Sequence, residues 1–210
     1  MFSEAAGRFY PIVDADICRS RGLDPRAVAA ACFRAGAWIL QLRVKAASSA
    51  EFLALATAVV GDAAPFGATV IVNDRADIAR MSGAGGVHVG QEDLTPTEVR
   101  AIAGHTVVGL STHNPEQVTA GLGSGADYIA VGPIFGTATK ETGYDARGLG
   151  LVEHAAGRGK PIVAIGGITL ERAASVIAAG ATAVAIISDL LAENRPAERV
   201  RAYCRLLGGS

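Results

Sequence analysis

The chain has 210 residues, half of them hydrophobic, with 19 Lys and Arg set against 20 Asp and Glu for a net charge of -1. That is enough chain for one domain with a full core, too apolar for disorder and too neutral for an electrostatic nucleic-acid binder. It shows no uninterrupted apolar span of about 18 residues and no basic-then-apolar leader, and its few aromatics are too scattered to stack bases. Three widely spaced cysteines, Cys18, Cys32 and Cys204, suit neither a disulfide framework nor a zinc site. The expectation is a soluble, cytoplasmic protein with reduced thiols and no nucleic-acid or membrane partner.

The first strand is 9–14 (FYPIVD), a short apolar run ending in an acid. Asp24-Pro25 reads as an N-cap with proline at the first helical position, opening a helix over 27–35 that stops at Gly36. Strand 2 is 38–45 (WILQLRVK). At the two-residue period of a strand, Leu40, Leu42 and Val44 share one face, and Gln41, Arg43 and Lys45 the other. Burying an amide and two cations unpaired would cost several kcal/mol each. The polar face is therefore either the wet side of an edge strand or the wall of a site that meets an anion.

Ser48 and Glu51 form a capping box for a helix over 52–60. Strand 3, 69–72, ends in Asn73-Asp74; a helix over 76–81 leads to strand 4, 86–89, and then to Gln91-Glu92-Asp93. Thr95-Pro96 caps a helix that Gly104 ends, and strand 5, 107–110, finishes in Ser111-Thr112-His113. Asn114-Pro115 caps the next helix. Strand 6, 127–131, runs into the loop Gly132 to Lys140. A helix near 149–156 precedes strand 7, 161–165, which ends in Gly166-Gly167. Thr169 caps a helix terminated by Gly180; strand 8, 183–187, ends in Ser188, and a last helix covers 197–207.

Small-residue helix ends recur before strands at 35–37, 82–84, 124–126 and 179–181, each with a central glycine that can adopt a left-handed cap. Eight strands alternating with eight helices, with no composition shift, predict a single-domain α/β protein, a (β/α)8 TIM barrel over 1–210. A doubly wound open sheet is the alternative. At this length the barrel's loops must be lean.

Active sites of such barrels lie at the C-terminal strand ends, and there the polar residues collect. Arg43, Lys45 and Lys140 are three cations able to converge on a phosphate or pyrophosphate. Asp74 and Asp93 follow adjacent strands. Beside three cations they serve either as salt-bridge partners or as ligands of magnesium, which joins one or two carboxylates to phosphate oxygens. Asn73 and Ser111 add neutral hydrogen bonds. Gly166-Gly167 and Ser188 end strands 7 and 8, where barrels bind phosphate through backbone N–H groups, although a Gly-Gly after a strand can also be a plain turn. Thr137, Thr139 and Lys140 lie in a glycine-preceded loop that either covers the site or is an ordinary polar loop. His88, mid-strand, reads as a hydrogen-bonded core residue, and His113 sits near the mouth or starts the next helix. His105 and His154 read as surface.

Seven stretches in order, QLRVK at 41–45, VNDRAD at 72–77, GVHVGQEDL at 86–94, GLSTH at 109–113, the run 132–140, AIGGI at 164–168 and IIS at 186–188, together resemble thiamine phosphate synthase. The resemblance spans strand 2 to strand 8. It implies a magnesium-dependent transferase of thiamine biosynthesis that joins a hydroxymethylpyrimidine pyrophosphate to a thiazole (carboxythiazole) phosphate, giving thiamine phosphate and pyrophosphate. Carried over by position, Gln41, Arg43, Lys45 and Asn73 hold the pyrimidine pyrophosphate, with Ser111 and Lys140 on the leaving group. Asp74 and Asp93 bind Mg2+; Thr137, Thr139, Gly167, Ile187 and Ser188 bind the thiazole phosphate. Arg43, Lys45, Ser111 and Lys140 would then be the catalytic set. Relatives on this barrel include thiazole tautomerases, which tend to lack part of the pyrophosphate and magnesium set that is complete here. The sequence leaves the oligomeric state open, a homo-oligomer included.

Overall fold

Each strand carries two rows of side chains, and the two rows meet different neighbours. The structure, a computed structural model, describes residues 7–136 and 145–208. Its strands are β1 (Phe9–Asp14), β2 (Ile39–Arg43), β3 (Thr69–Asn73), β4 (Gly86–Val89), β5 (Val107–Thr112), β6 (Tyr128–Val131), β7 (Ile162–Ile165) and β8 (Ala183–Ile186). All pair in parallel with their sequence neighbours, and β8 returns to β1 with Tyr10 opposite Ala185, so the sheet closes into a barrel. Closure removes the open-sheet alternative, and with it the edge-strand account of β2.

The helices are α1 (Ala15–Ser20), α2 (Pro25–Arg34), α3 (Ser49–Ala63), α4 (Ala76–Ser82), α5 (Pro96–Ala103), α6 (Pro115–Gly123), α7 (Leu149–Ala155), α8 (Leu170–Ala178) and α9 (Pro196–Leu207). Leu40, Leu42 and Val44 belong to the large apolar layer between strands and helices. Ile39 faces the lumen, in a smaller cluster with Tyr10, Ile12, Ile71, Tyr128 and Val163. The alternation of β2 therefore places Gln41 and Arg43 on the lumen side, toward its C-terminal end.

Local chemistry explains the boundaries. Asp24 accepts the N–H groups of Arg26 and Ala27 at the start of α2. Ser48 and Glu51 form the reciprocal box on α3, and Thr95 and Glu98 form another on α5. Gly36, Gly83, Gly125 and Gly180 all have positive φ, as the recurring helix ends predict. Thr169 occupies the N-cap position of α8, but its side chain makes no capping hydrogen bond, contrary to expectation.

β2 stops at Arg43, short of the expected 38–45, and three further elements depart from the sequence reading. The six-residue α1 was not expected; it forms because Asp14, which ends β1, also caps it through the N–H groups of Asp16 and Ile17. β5 runs on to Thr112, whose hydroxyl donates to the Ala130 carbonyl of β6 at 3.0 Å. Ser188 opens a 3-10 turn, Ser188–Asn194, instead of closing a strand.

The stretch Ser49–Phe66 has a mean hydropathy of 1.2 and the length of a membrane span. It carries Glu51 and Asp62, and its greater part, α3, packs in the barrel's shell against α2 and α4, burying Phe52, Ala56 and Val59. All three cysteines are free thiols.

Candidate active site

The C-terminal strand ends bring most of the expected residues together. Arg43, at the end of β2, forms an ion pair with Asp14, opposite it on β1 in register. The Asp14 side chain is 2% exposed and that of Arg43 16%, so this pair is largely shielded from water. Lys45, two residues past Arg43, reaches the Asp74 carboxylate beyond β3. Asp74 has φ +62°, an uncommon conformation for a non-glycine residue that is often found at functional sites. Its N–H donates to the His88 carbonyl at 2.8 Å, tying the end of β3 to β4.

Asp74 and Asp93 border one open cleft, together with Asp77, Glu92 and Glu98. Asp93 turns one oxygen to the N–H of Gly90 at 2.7 Å, which fixes its loop. Among the described residues no three His, Cys, Asp or Glu side chains gather into a closed metal cage. Two carboxylates on one cleft fit a hard cation that shares its coordination sphere with phosphate oxygens and water. The salt-bridge account of the cations also holds in part, since Arg43 and Lys45 both face carboxylates.

Across the ring of strands, Gly167 and Ser188 border a second cleft. Gly166 and Gly167 have φ +103° and +60°, and the chain after β6 passes very close: a Cβ on Gly167 would lie 2.5 Å from the Gly136 oxygen. Any side chain there would push back the loop leading to Thr137. Ile187 follows β8 and packs against the lumen cluster. Arg21 and Arg172 border the same cleft, Arg172 held by a hydrogen bond to the Gly167 carbonyl at 3.0 Å and by the face of Phe135. Sequence reasoning missed both arginines, which lie just past α1 and in α8; neither shows the strand alternation that flagged Arg43. Thr137, Thr139 and Lys140 lie outside the described residues.

Below the mouth, the lumen holds a chain of hydrogen bonds. Gln41 Nε2 donates to the Tyr10 hydroxyl at 3.2 Å, and the Tyr10 and Tyr128 hydroxyls are 3.1 Å apart. Tyr128 OH lies 2.9 Å from His88 Nδ1, and His88 Nε2 lies 2.8 Å from Ser111 Oγ. Tyr10, Gln41, His88 and Tyr128 are all buried. Burial pushes both phenols well above their ordinary range, so they keep their protons at neutral pH. Each of these groups would cost roughly 1–3 kcal/mol if buried unpaired. Asn73 neighbours His88 in register.

His88 is the hydrogen-bonded core histidine that the sequence suggests, and its partners include the site residue Ser111. His113 ties two strand ends: its N–H donates to Gln117 Oε1 at 2.8 Å, and its Nδ1 lies 2.6 Å from the Gly132 carbonyl oxygen. His105 and His154 are exposed. Tyr10 and Asp14 went unread as site residues although they alternate with Ile12 on one face of β1, a signal the sequence does carry.

A family model described as thiamine monophosphate synthase matches residues 9–190. The chain is 41% identical to the thiamine-phosphate synthase of Koribacter versatilis, the match covering 95% of each chain. It is also 41% identical to that of Mycobacterium tuberculosis, with 94% of this chain and 95% of the relative covered. Among solved structures, a thiamine phosphate pyrophosphorylase from Pyrococcus furiosus superposes with a TM-score of 0.87 over 97% of this chain and 96% of that one; at 24% identity it speaks for the fold. The chain belongs to the thiamine monophosphate synthase family, enzymes of thiamine biosynthesis.

Proposed function

We propose that this barrel couples a hydroxymethylpyrimidine pyrophosphate to a thiazole phosphate, releasing pyrophosphate and giving thiamine phosphate. The observation that carries the reading is the mouth itself. Arg43 and Lys45 are held there by carboxylates, Asp74 and Asp93 share a cleft, and Gly167 and Ser188 border another across the ring.

Gln41, Asn73, Arg43 and Lys45 hold the pyrimidine pyrophosphate, with Ser111 and Lys140 on its departing end. Gly167, Ile187 and Ser188, joined by Thr137 and Thr139, take the thiazole phosphate. Asp74 and Asp93 would hold magnesium, which when bound supplies positive charge to the leaving phosphates. The carbon–oxygen bond to pyrophosphate breaks with its electron pair going to the oxygen. The thiazole nitrogen then gives its lone pair to the resulting pyrimidinylmethyl cation. No proton changes hands in these two steps, so the site needs fixed cations and hydrogen-bond donors rather than a strong base. The barrel's contribution is to hold both substrates in line and keep water from the cation.

The test is pyrophosphate release by the purified protein with both substrates, with each alone, and with magnesium chelated. Release that requires both substrates and the metal is the expected result. Isomerisation of a carboxythiazole phosphate without pyrophosphate release would instead make the protein a tautomerase. Lys140→Ala is expected to lower kcat by roughly a hundredfold with a smaller change in KM, the pattern of a group that acts on charge developing in the transition state. An unchanged kcat would remove Lys140 from the leaving group.

A further inference from the structure

The hydrogen-bonded chain across the lumen has an order as well as a path. The Gln41 amide nitrogen has only protons to give, so the Tyr10 oxygen accepts at that end. Each phenol has a single proton to give, and with the protons running away from Gln41 the Tyr10 proton goes to Tyr128 and the Tyr128 proton to His88 Nδ1. The ring then carries its proton on Nε2 and donates it to Ser111 Oγ. Ser111 receives a proton from below, and its own proton is left to point elsewhere. Ser111 is half-buried at the strand end, where the mouth begins.

We propose that His88 is a positioning residue: held in its neutral Nε2–H tautomer through Tyr10 and Tyr128, it turns the Ser111 hydroxyl outward as a hydrogen-bond donor to the departing pyrophosphate. The catalytic half of this inference rests on the reading of Ser111 as a pyrophosphate ligand. The geometry beneath it is built with little slack. His88 and Tyr128 both lie opposite Gly109 in register, and their rings stack with centroids 5.6 Å apart. A Cβ on Gly109 would fall 2.5 Å from His88 Nδ1 and 2.3 Å from the Tyr128 oxygen. Only glycine leaves room for that bond. The reverse order, in which Ser111 donates to His88, would present the Ser111 oxygen to the mouth as an acceptor, and an acceptor repels an anion.

The experiment is nitrogen NMR of the full chain labelled at the histidine rings, at neutral pH, with His88→Gln used to assign the His88 signals. A protonated Nε2 and an unprotonated Nδ1 are expected; a proton on Nδ1, or two averaged nitrogens, overturns the order. In Tyr128→Phe, which removes the donor to Nδ1, the two nitrogens are expected to move toward an average. The same variant should lower kcat about tenfold, near the worth of one positioned hydrogen bond, with KM for the pyrimidine pyrophosphate changed less than roughly twofold. His88→Gln keeps an amide N–H near the place of Nε2, so it should retain more kcat than His88→Asn; equal losses would count against positioning. Ser111→Ala separates the two layers. An unchanged kcat there overturns the pyrophosphate reading and the catalytic half of this inference, while the wrong tautomer overturns the relay alone.

Discussion

Gly109→Ala is expected to destabilise the barrel by about 3 kcal/mol, the upper part of the range for an overfilled core. The added methyl would sit 2.1 Å from Tyr128 Cζ, far inside contact distance, and strands on both sides are fixed by closed pairing. Tyr128 is 1% exposed and has nowhere to retreat without breaking its bonds to Tyr10 or His88. In urea the unfolding midpoint should fall by roughly 1 M with little change in slope. Gly123→Ala is the control: it lies in α6 with open space around its would-be Cβ, and alanine favours a helix. A Gly109→Ala midpoint equal to wild type would show that the lumen is looser than its contacts indicate.

The second large effect is expected at the Asp14–Arg43 pair. Arg43→Gln leaves the Asp14 carboxylate without its cation, a loss of about 3–5 kcal/mol for a buried pair broken from one side. Asp14 still accepts the two N–H groups that start α1, at 3.1 Å each, which favours the lower half of that range. Adding Asp14→Asn to Arg43→Gln removes the stranded charge, so the double variant should be more stable than the sum of the two single losses predicts. On the proposed role of Arg43 as a pyrophosphate ligand, pyrophosphate release should stay low in both Arg43 variants. Strict additivity in thermal unfolding would mean that the two side chains contribute independently.

The alternation of Leu40, Leu42 and Val44 against Gln41 and Arg43 was legible in the sequence because it depends only on strand geometry. So were the caps at Asp24, Ser48, Thr95 and Asn114, where a short polar side chain meets the N–H groups a few residues on. Asp14 was legible as a strand end but not as a helix cap or as the partner of Arg43, since that pairing depends on register between β1 and β2. The relay was hidden for the same reason. His88 and Tyr128 stand 40 residues apart and meet only once β4, β5 and β6 are aligned, with Gly109 between them. The positive φ of Asp74 is set by how β3 turns away from the barrel; aspartate tolerates that conformation better than most residues, but the tolerance alone does not single out one aspartate among many. Ser188 was placed correctly and its element was not, because a strand end and the first residue of a 3-10 turn look alike in composition.

Closure of β8 onto β1 bears on how the protein comes into being during synthesis. Asp14, which seats Arg43, is made well before Ser188 of the opposite cleft. Until β8 is made, β1 has one free edge, and Tyr10 lacks its neighbour Ala185. A nascent chain halted before β8 would therefore hold an incomplete ring with its polar lumen open to water. Translation must pass β8 and Ser188 before the clefts on the two sides of the mouth face each other across a closed ring.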